Sequence, residues 1–155
     1  MSLALLMASC GGPPAAAPGT RMVSTEAVRA LLADALDGAP LTRGALVDRL
    51  GPPLRTRAAG PDSLETLVYH GLELMLHGAA PGGLARMALT DARYTSPEGL
   101  RVGYAHDYVR TTLGRPTEQA PARLLYAKPG PPPCTLVVYL EADKVSRLEW
   151  FFDAP

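Results

Sequence analysis

The side chains available for chemistry in this 155-residue chain are three histidines, two cysteines, fifteen acidic residues and scattered hydroxyls. His106 and Asp107 are adjacent at the start of an expected short helix. Neighbours there point about 100° apart, so they read as a solvated helix face and not as a catalytic dyad. His70 falls at an expected turn and His77 at the far end of the next strand, so the two do not converge on a metal. No Cys/His pair has metal-ligand spacing, no glycine loop is shaped to cradle phosphate, and no serine sits in a G-x-S-x-G elbow. Glu141 and Asp143 flank a hairpin turn, Ala142-Asp143-Lys144, that accounts for both. Arg43, Arg49, Arg55 and Arg57 form either a basic patch toward a membrane or anionic partner, or plain solubilising charge. No catalytic residue, metal or cofactor is therefore expected. What remains is a set suited to contact: Glu73, Met75, His77, Val137 and Tyr139, at alternate positions of two expected strands. Tyr and Met are enriched in interface cores.

Composition narrows the class. Fifteen Lys+Arg balance fifteen Asp+Glu, for a formal net charge of +0. A general nucleic-acid binder needs an unneutralised positive field, so none is expected. Apolar residues make up 47% of the chain, enough for a core and too many for a disordered segment. No apolar run approaches the roughly 18 residues of a spanning helix. The length suits one ordinary domain or two very small ones.

The first twenty residues carry no charge. Residues 1–10, MSLALLMASC, resemble the tail of a bacterial lipoprotein signal, with Met7-Ala8-Ser9-Cys10 standing where the lipobox would be. That resemblance implies that residues 1–9 are removed and that Cys10 carries a lipid. The stretch lacks a basic n-region and is shorter than the usual apolar segment, which an upstream start site would explain; the alternative is an ordinary apolar N-terminus. Residues 10–22, rich in Pro, Ala and Gly, read as an extended tether. Gly11 is not the Asp that commonly retains such proteins at an inner membrane, so an outer-membrane anchor facing the periplasm is expected. With Cys10 acylated, Cys134 has no disulfide partner and reads as a small buried hydrophobe.

The folded part reads as two α+β units, residues 23–91 and 92–155. Val28, Leu31, Leu32, Ala35 and Leu36 have helical spacing over 24–37, capped by Ser24 or Thr25 and stopped by Gly38 and Pro40. A short helix capped by Thr42 ends at Gly51-Pro52-Pro53. After a loop rich in Arg and Gly come strands over 65–69, 72–77 and 84–90. The order then recurs, with a helix over 104–113 ended by Gly114-Arg115-Pro116 and strands over 122–127, 135–141 and 145–152. Leu50, Gly51 and Pro53 match Leu113, Gly114 and Pro116, and Arg86 and Leu89 match Arg147 and Trp150. Each unit is thus a helical segment plus a three-stranded antiparallel meander, with the helices packed on one sheet face. Alternation sends Leu72, Leu74, Leu76, Leu136, Val138 and Leu140 toward the helices. It leaves Glu73, Met75, His77, Val137, Tyr139 and Glu141 outward. Trp150 is expected in the core, and Phe151 on the opposite, more exposed face.

The run Ser96-Pro97-Glu98-Gly99-Leu100-Arg101-Val102-Gly103, helix, Leu113-Gly114-Arg115-Pro116, three strands resembles a known fold. It is shared by the small lipoprotein of the outer-membrane barrel-assembly machinery and the tandem-repeat beta-lactamase inhibitor proteins. The first unit departs from it, having Ala39-Pro40 where Val102-Gly103 stands. The resemblance implies a non-enzymatic protein-binding module. Together with the anchor, the expectation is a lipid-anchored envelope protein that binds another envelope protein in outer-membrane assembly or maintenance. The alternatives are an inhibitor or immunity protein that blocks an enzyme, and a small-ligand-binding lipoprotein, which would need an apolar pocket.

Overall fold

Two capped helices come first. In α1 (Thr25–Leu36) the Ser24 hydroxyl accepts from the Ala27 amide, and in α2 (Arg43–Leu50) the Thr42 hydroxyl accepts from that of Ala45. Each cap satisfies a donor that a helix N-terminus leaves open. Val28, Leu31, Leu32 and Ala35 of α1 and Leu46 and Leu50 of α2 are buried, as their spacing requires. The computed structural model describes residues 22–59, 64–78, 83–130 and 132–152.

The strands follow as β1 (Arg55–Ala59), β2 (Leu64–Tyr69), β3 (Leu72–Leu76) and β4 (Leu84–Leu89). After α3 (His106–Leu113) come β5 (Glu118–Ala120), β6 (Arg123–Lys128), β7 (Cys134–Glu141) and β8 (Lys144–Phe152). All eight strands join one antiparallel sheet in the order β1-β2-β3-β4-β8-β7-β6-β5. The fold is α+β.

Two expectations are corrected. Each half of the sheet contributes four strands, not three, because β1 lies in what reads as an Arg- and Gly-rich loop and β5 is three residues long. Both are edge strands, held by the backbone of one neighbour, so neither has a buried face to announce it in sequence. α3 begins at His106, not Tyr104. Residues 103–106 are instead tied to the β7–β8 hairpin: the Gly103 amide donates to the Val145 carbonyl at 2.7 Å, the Val145 amide to the Tyr104 carbonyl at 2.8 Å, and the His106 amide to the Asp143 carbonyl at 3.0 Å.

The register places one ladder of side chains toward the core: Thr56, Leu67, Leu74, Met87, Trp150, Leu136 and Tyr126, each opposite the next. A parallel ladder carries Tyr69, Leu72, Leu89, Leu148, Val138 and Leu124. These apolar side chains share one hydrophobic cluster with Val28, Leu31, Leu32, Leu46 and Leu50 of α1 and α2 and Val109 of α3. Trp150 is fully buried and Phe151 exposed, as alternation requires. Leu140 is only half-buried, at the end of a register shift.

Pairs of details recur in the two halves. α2 and α3 end on Gly51 and Gly114, both with positive φ (82° and 79°), which glycine tolerates without a Cβ penalty. The Tyr69 hydroxyl donates to the Gly51 carbonyl at 3.0 Å, and that of Tyr126 to the Gly114 carbonyl at 3.4 Å. The β3–β4 register shifts between Met75 and Leu76, and the β7–β8 register between Tyr139 and Leu140.

Candidate functional site

The opposite face of the sheet is read from the same register. One ladder runs Arg55, Val68, Glu73, Ala88, Glu149, Val137, Leu125, Glu118 from edge to edge. Its neighbour runs Arg57, Thr66, Met75, Arg86, Phe151, Thr135, Ala127. A third, short row pairs Arg147 with Tyr139 and Tyr139 with Arg123. Val68, Ala88 and Val137 are buried yet stand outside the hydrophobic cluster of the other face.

An ion network occupies the middle of this outer face, where β4 meets β8. Glu149 is 3% exposed, and its Oε1 accepts from Arg86 Nη1 at 2.5 Å and Arg147 Nη2 at 3.0 Å. Glu73 Oε2 lies 3.8 Å from Arg86 and 3.5 Å from Arg147. A carboxylate so far removed from water is tolerable only when paired, and the two guanidiniums supply the pairing. In return Glu149 holds both arginines in place. Burial, then the neighbouring Glu149 carboxylate, pushes the Tyr139 phenol above its ordinary value. Phe151 stands exposed directly opposite Arg86.

The expected contact residues distribute as follows. Glu73 enters the network, while Met75 and Tyr139 flank it half-buried. Val137 is on the expected face but only 6% exposed, so it forms floor and not contact surface. His77 lies one residue beyond β3, half-buried, and its amide donates to the Gly83 carbonyl at 3.0 Å. Cys10, the signal segment and residues 10–21 of the tether lie outside the described residues. Four residues of this surface are missing from the expected contact set, although alternation already puts Glu149 and Phe151 on this face: Arg86, Arg147, Glu149 and Phe151. The signal available was the match of Arg86 to Arg147 together with the same-face spacing of Arg147 and Glu149.

The remaining candidates separate. Arg43 pairs with Glu65 at 2.9 Å and Arg49 with Asp34, so the four-arginine patch reduces to Arg55 and Arg57. His106 is half-buried against Asp143, Nδ1 to Oδ1 3.4 Å, and not on a solvated face; Asp107 is exposed. Asp143 and Ala142 adopt positive φ in the hairpin turn, and the His106 amide, donating to the Asp143 carbonyl, ties that turn to the start of α3. Ser96 of the S-x-x-G-L run is buried, its hydroxyl accepting from the Leu100 amide at 3.1 Å, which makes the motif a turn lock. Among the described residues no three His, Cys, Asp or Glu side chains gather as a metal site. A depression of about 500 Å³ is lined by Arg110, Arg115, Pro116, Thr117, Glu118 and Gln119, with no aromatic wall. No described helix is long and apolar enough to cross a membrane.

No protein-family model and no curated protein matches the chain. Two solved structures are similar to the chain to different degrees. One is an extracellular protein containing an SCP domain from Bacillus anthracis, with a TM-score of 0.57 at 10% identity. The match covers 96% of this chain and 50% of that one, so the chain spans half the length of that protein. The other is a DUF4309 family protein from Bacillus subtilis, with a TM-score of 0.47 at 15% identity, covering 84% of this chain and 98% of that one.

Proposed function

We propose that this chain is a non-enzymatic, lipid-anchored envelope protein whose outer sheet face binds another envelope protein. In this reading it consists of two tandem α+β units joined edge to edge at β4 and β8, with the helices on one face and the other face free to dock. The paired caps at Gly51 and Gly114, the paired Tyr69 and Tyr126 hydrogen bonds and the paired register shifts support the tandem arrangement.

The observation that carries the binding reading is the organised charge at the unit junction. Arg86 and Arg147 are fixed by a buried carboxylate and ringed by Phe151, Tyr139 and Met75. Arg, Tyr, Phe and Met are the residue types that protein interfaces concentrate, and side chains held before binding lose little entropy on docking. The lipid on Cys10 and the tether from 10 to 22 would deliver this face to partners in the same membrane, the outer membrane in this reading.

The test is site-specific photo-crosslinking from position 151 in cells expressing the full chain, with position 29 on α1 as control. A single protein captured from 151, absent from 29 and lost with Arg86→Ala, supports the reading. Equal capture from both positions contradicts it.

A further inference from the structure

The two edges of the sheet are built differently. β5 is three residues long and is followed at once by Pro121, whereas β1 is five residues long and is followed by glycine; each begins two residues after a proline, Pro116 for β5 and Pro53 for β1. The free rim of β5 is short and guarded at its end by Pro121, which cannot donate to a ladder. β1 runs five residues without a proline, and Arg55, Thr56, Arg57 and Ala58 are all exposed. β2 takes one rim of β1. Within the sheet, the other rim leaves alternate N–H and C=O groups unpaired.

Charge at this rim is uncompensated. Arg55 and Arg57 share the outer face, next to Val68 and Thr66, which are neutral. Among the described residues neither takes part in an ion pair, as is also true of Arg29, Arg101, Arg110 and Arg115, but only Arg55 and Arg57 stand two residues apart on one strand face at a free sheet edge. Two residues apart on one strand face, Arg55 and Arg57 leave the strand about 7 Å apart. That is the pitch at which a paired strand presents its own same-face side chains.

We propose that β1 is a strand-addition site for an extended acidic segment of a partner protein. Its backbone pairs with the free rim, and carboxylates at alternate positions meet Arg55 and Arg57. Main-chain hydrogen bonds supply the affinity in this mode, and side chains at every second position supply the selection. An apolar strand would leave the two arginines unmatched. A second copy of β1 would set Arg against Arg, a destabilising juxtaposition. The opposite edge is a three-residue strand whose one carboxylate, Glu118, already lies 3.8 Å from Arg123, so a second copy is the poorer occupant. The site is separate from the Arg86–Glu149 centre of the outer face, and the two are tested independently.

The probe is a fluorescein-labelled synthetic peptide alternating Glu with Val and Thr, titrated into the full chain and followed by fluorescence anisotropy. Saturable binding is expected, weakening steeply with salt because exposed charges are screened. The double variant Arg55→Glu/Arg57→Glu should weaken it by about tenfold or more, the scale of two cross-strand charge pairs lost and reversed. Arg55→Gln/Arg57→Gln should give an intermediate loss, which guards against a folding defect in the first variant; unchanged Trp150 emission checks both. Arg29→Ala, on the exposed side of α1, should leave peptide affinity unchanged. No binding of the acidic peptide, equal binding of a Lys-for-Glu peptide, or indifference to the double reversal overturns the proposal. So does concentration-dependent self-association that the reversal removes, since the occupant would then be a second copy.

Discussion

Met87 and Trp150 lie directly opposite each other across β4 and β8, both fully buried, and so join the two halves of the sheet through the middle of the core. On the reverse side of the same two strands, Arg86 faces Phe151 and Ala88 faces Glu149. One inter-strand junction therefore carries both the largest packing element of the protein and the centre of its candidate binding face. Trp150→Ala should cost about 3–5 kcal/mol and Met87→Ala about 2–5 kcal/mol, the range for large buried side chains. Trp150 emission should be blue-shifted and poorly quenched by iodide; a red-shifted, readily quenched emission would contradict the burial.

Gly71 is the second sensitive point. Its φ is +70°, and a Cβ there would lie 2.2 Å from the Cβ of Asp91. Gly71→Ala combines left-handed strain of about 1–2 kcal/mol with a clash that a main-chain-proximal atom cannot easily relieve. Chemical denaturation should show a clear loss, whereas Gly44→Ala, with open space around it, should not.

The alkaline limb of stability follows from the tyrosines. Burial pushes the phenols of Tyr69, Tyr94, Tyr126 and Tyr139 above the ordinary 10.0, with Glu149 adding to the effect at Tyr139. The folded state thus binds these protons more tightly than the unfolded chain. The stability they contribute is complete below pH 10.0 and declines as pH rises through the higher folded values. Tyrosinate absorbance should show four of the six tyrosines ionising late and together with unfolding. Asp91 runs the other way: hydrogen bonds from Arg93 hold it below 3.8, so its contribution is present above that value and is lost as pH falls further. Asp91→Asn should flatten only the acid limb.

What was legible in the chain is what side-chain pattern alone determines. Leu31 and Leu32 at helical spacing, Ser24 and Thr42 as caps, and the alternation of Leu72, Leu74 and Leu76 each follow from a local rule, and each takes the expected place. Arg55-Thr56-Arg57-Ala58-Ala59 carries no such pattern, because an edge strand borrows its order from β2, and residues 55–58 are all exposed. The ion network was hidden for a different reason. Arg86 and Glu149 are 63 residues apart, and only the β4–β8 register brings them within 2.5 Å. Alternation places Glu149 on the outer face but says nothing of which arginines will meet it there.

The anchor is tested by metabolic labelling. With a clickable fatty acid, the full-length protein should label and partition into detergent, and Cys10→Ala should do neither, once the upstream start has been checked. Equal labelling of both removes the lipid from the proposal while leaving the binding face untouched.

Hydrogen–deuterium exchange of the full chain, alone and with the protein captured from position 151, tests the outer face most directly. Binding there should slow exchange in β3, β4, β7 and β8 and leave α1 and α2 unchanged, with the protection lost in Arg86→Ala. Protection confined to α1, α2 or α3, with the four central strands unaffected, would contradict docking on the sheet.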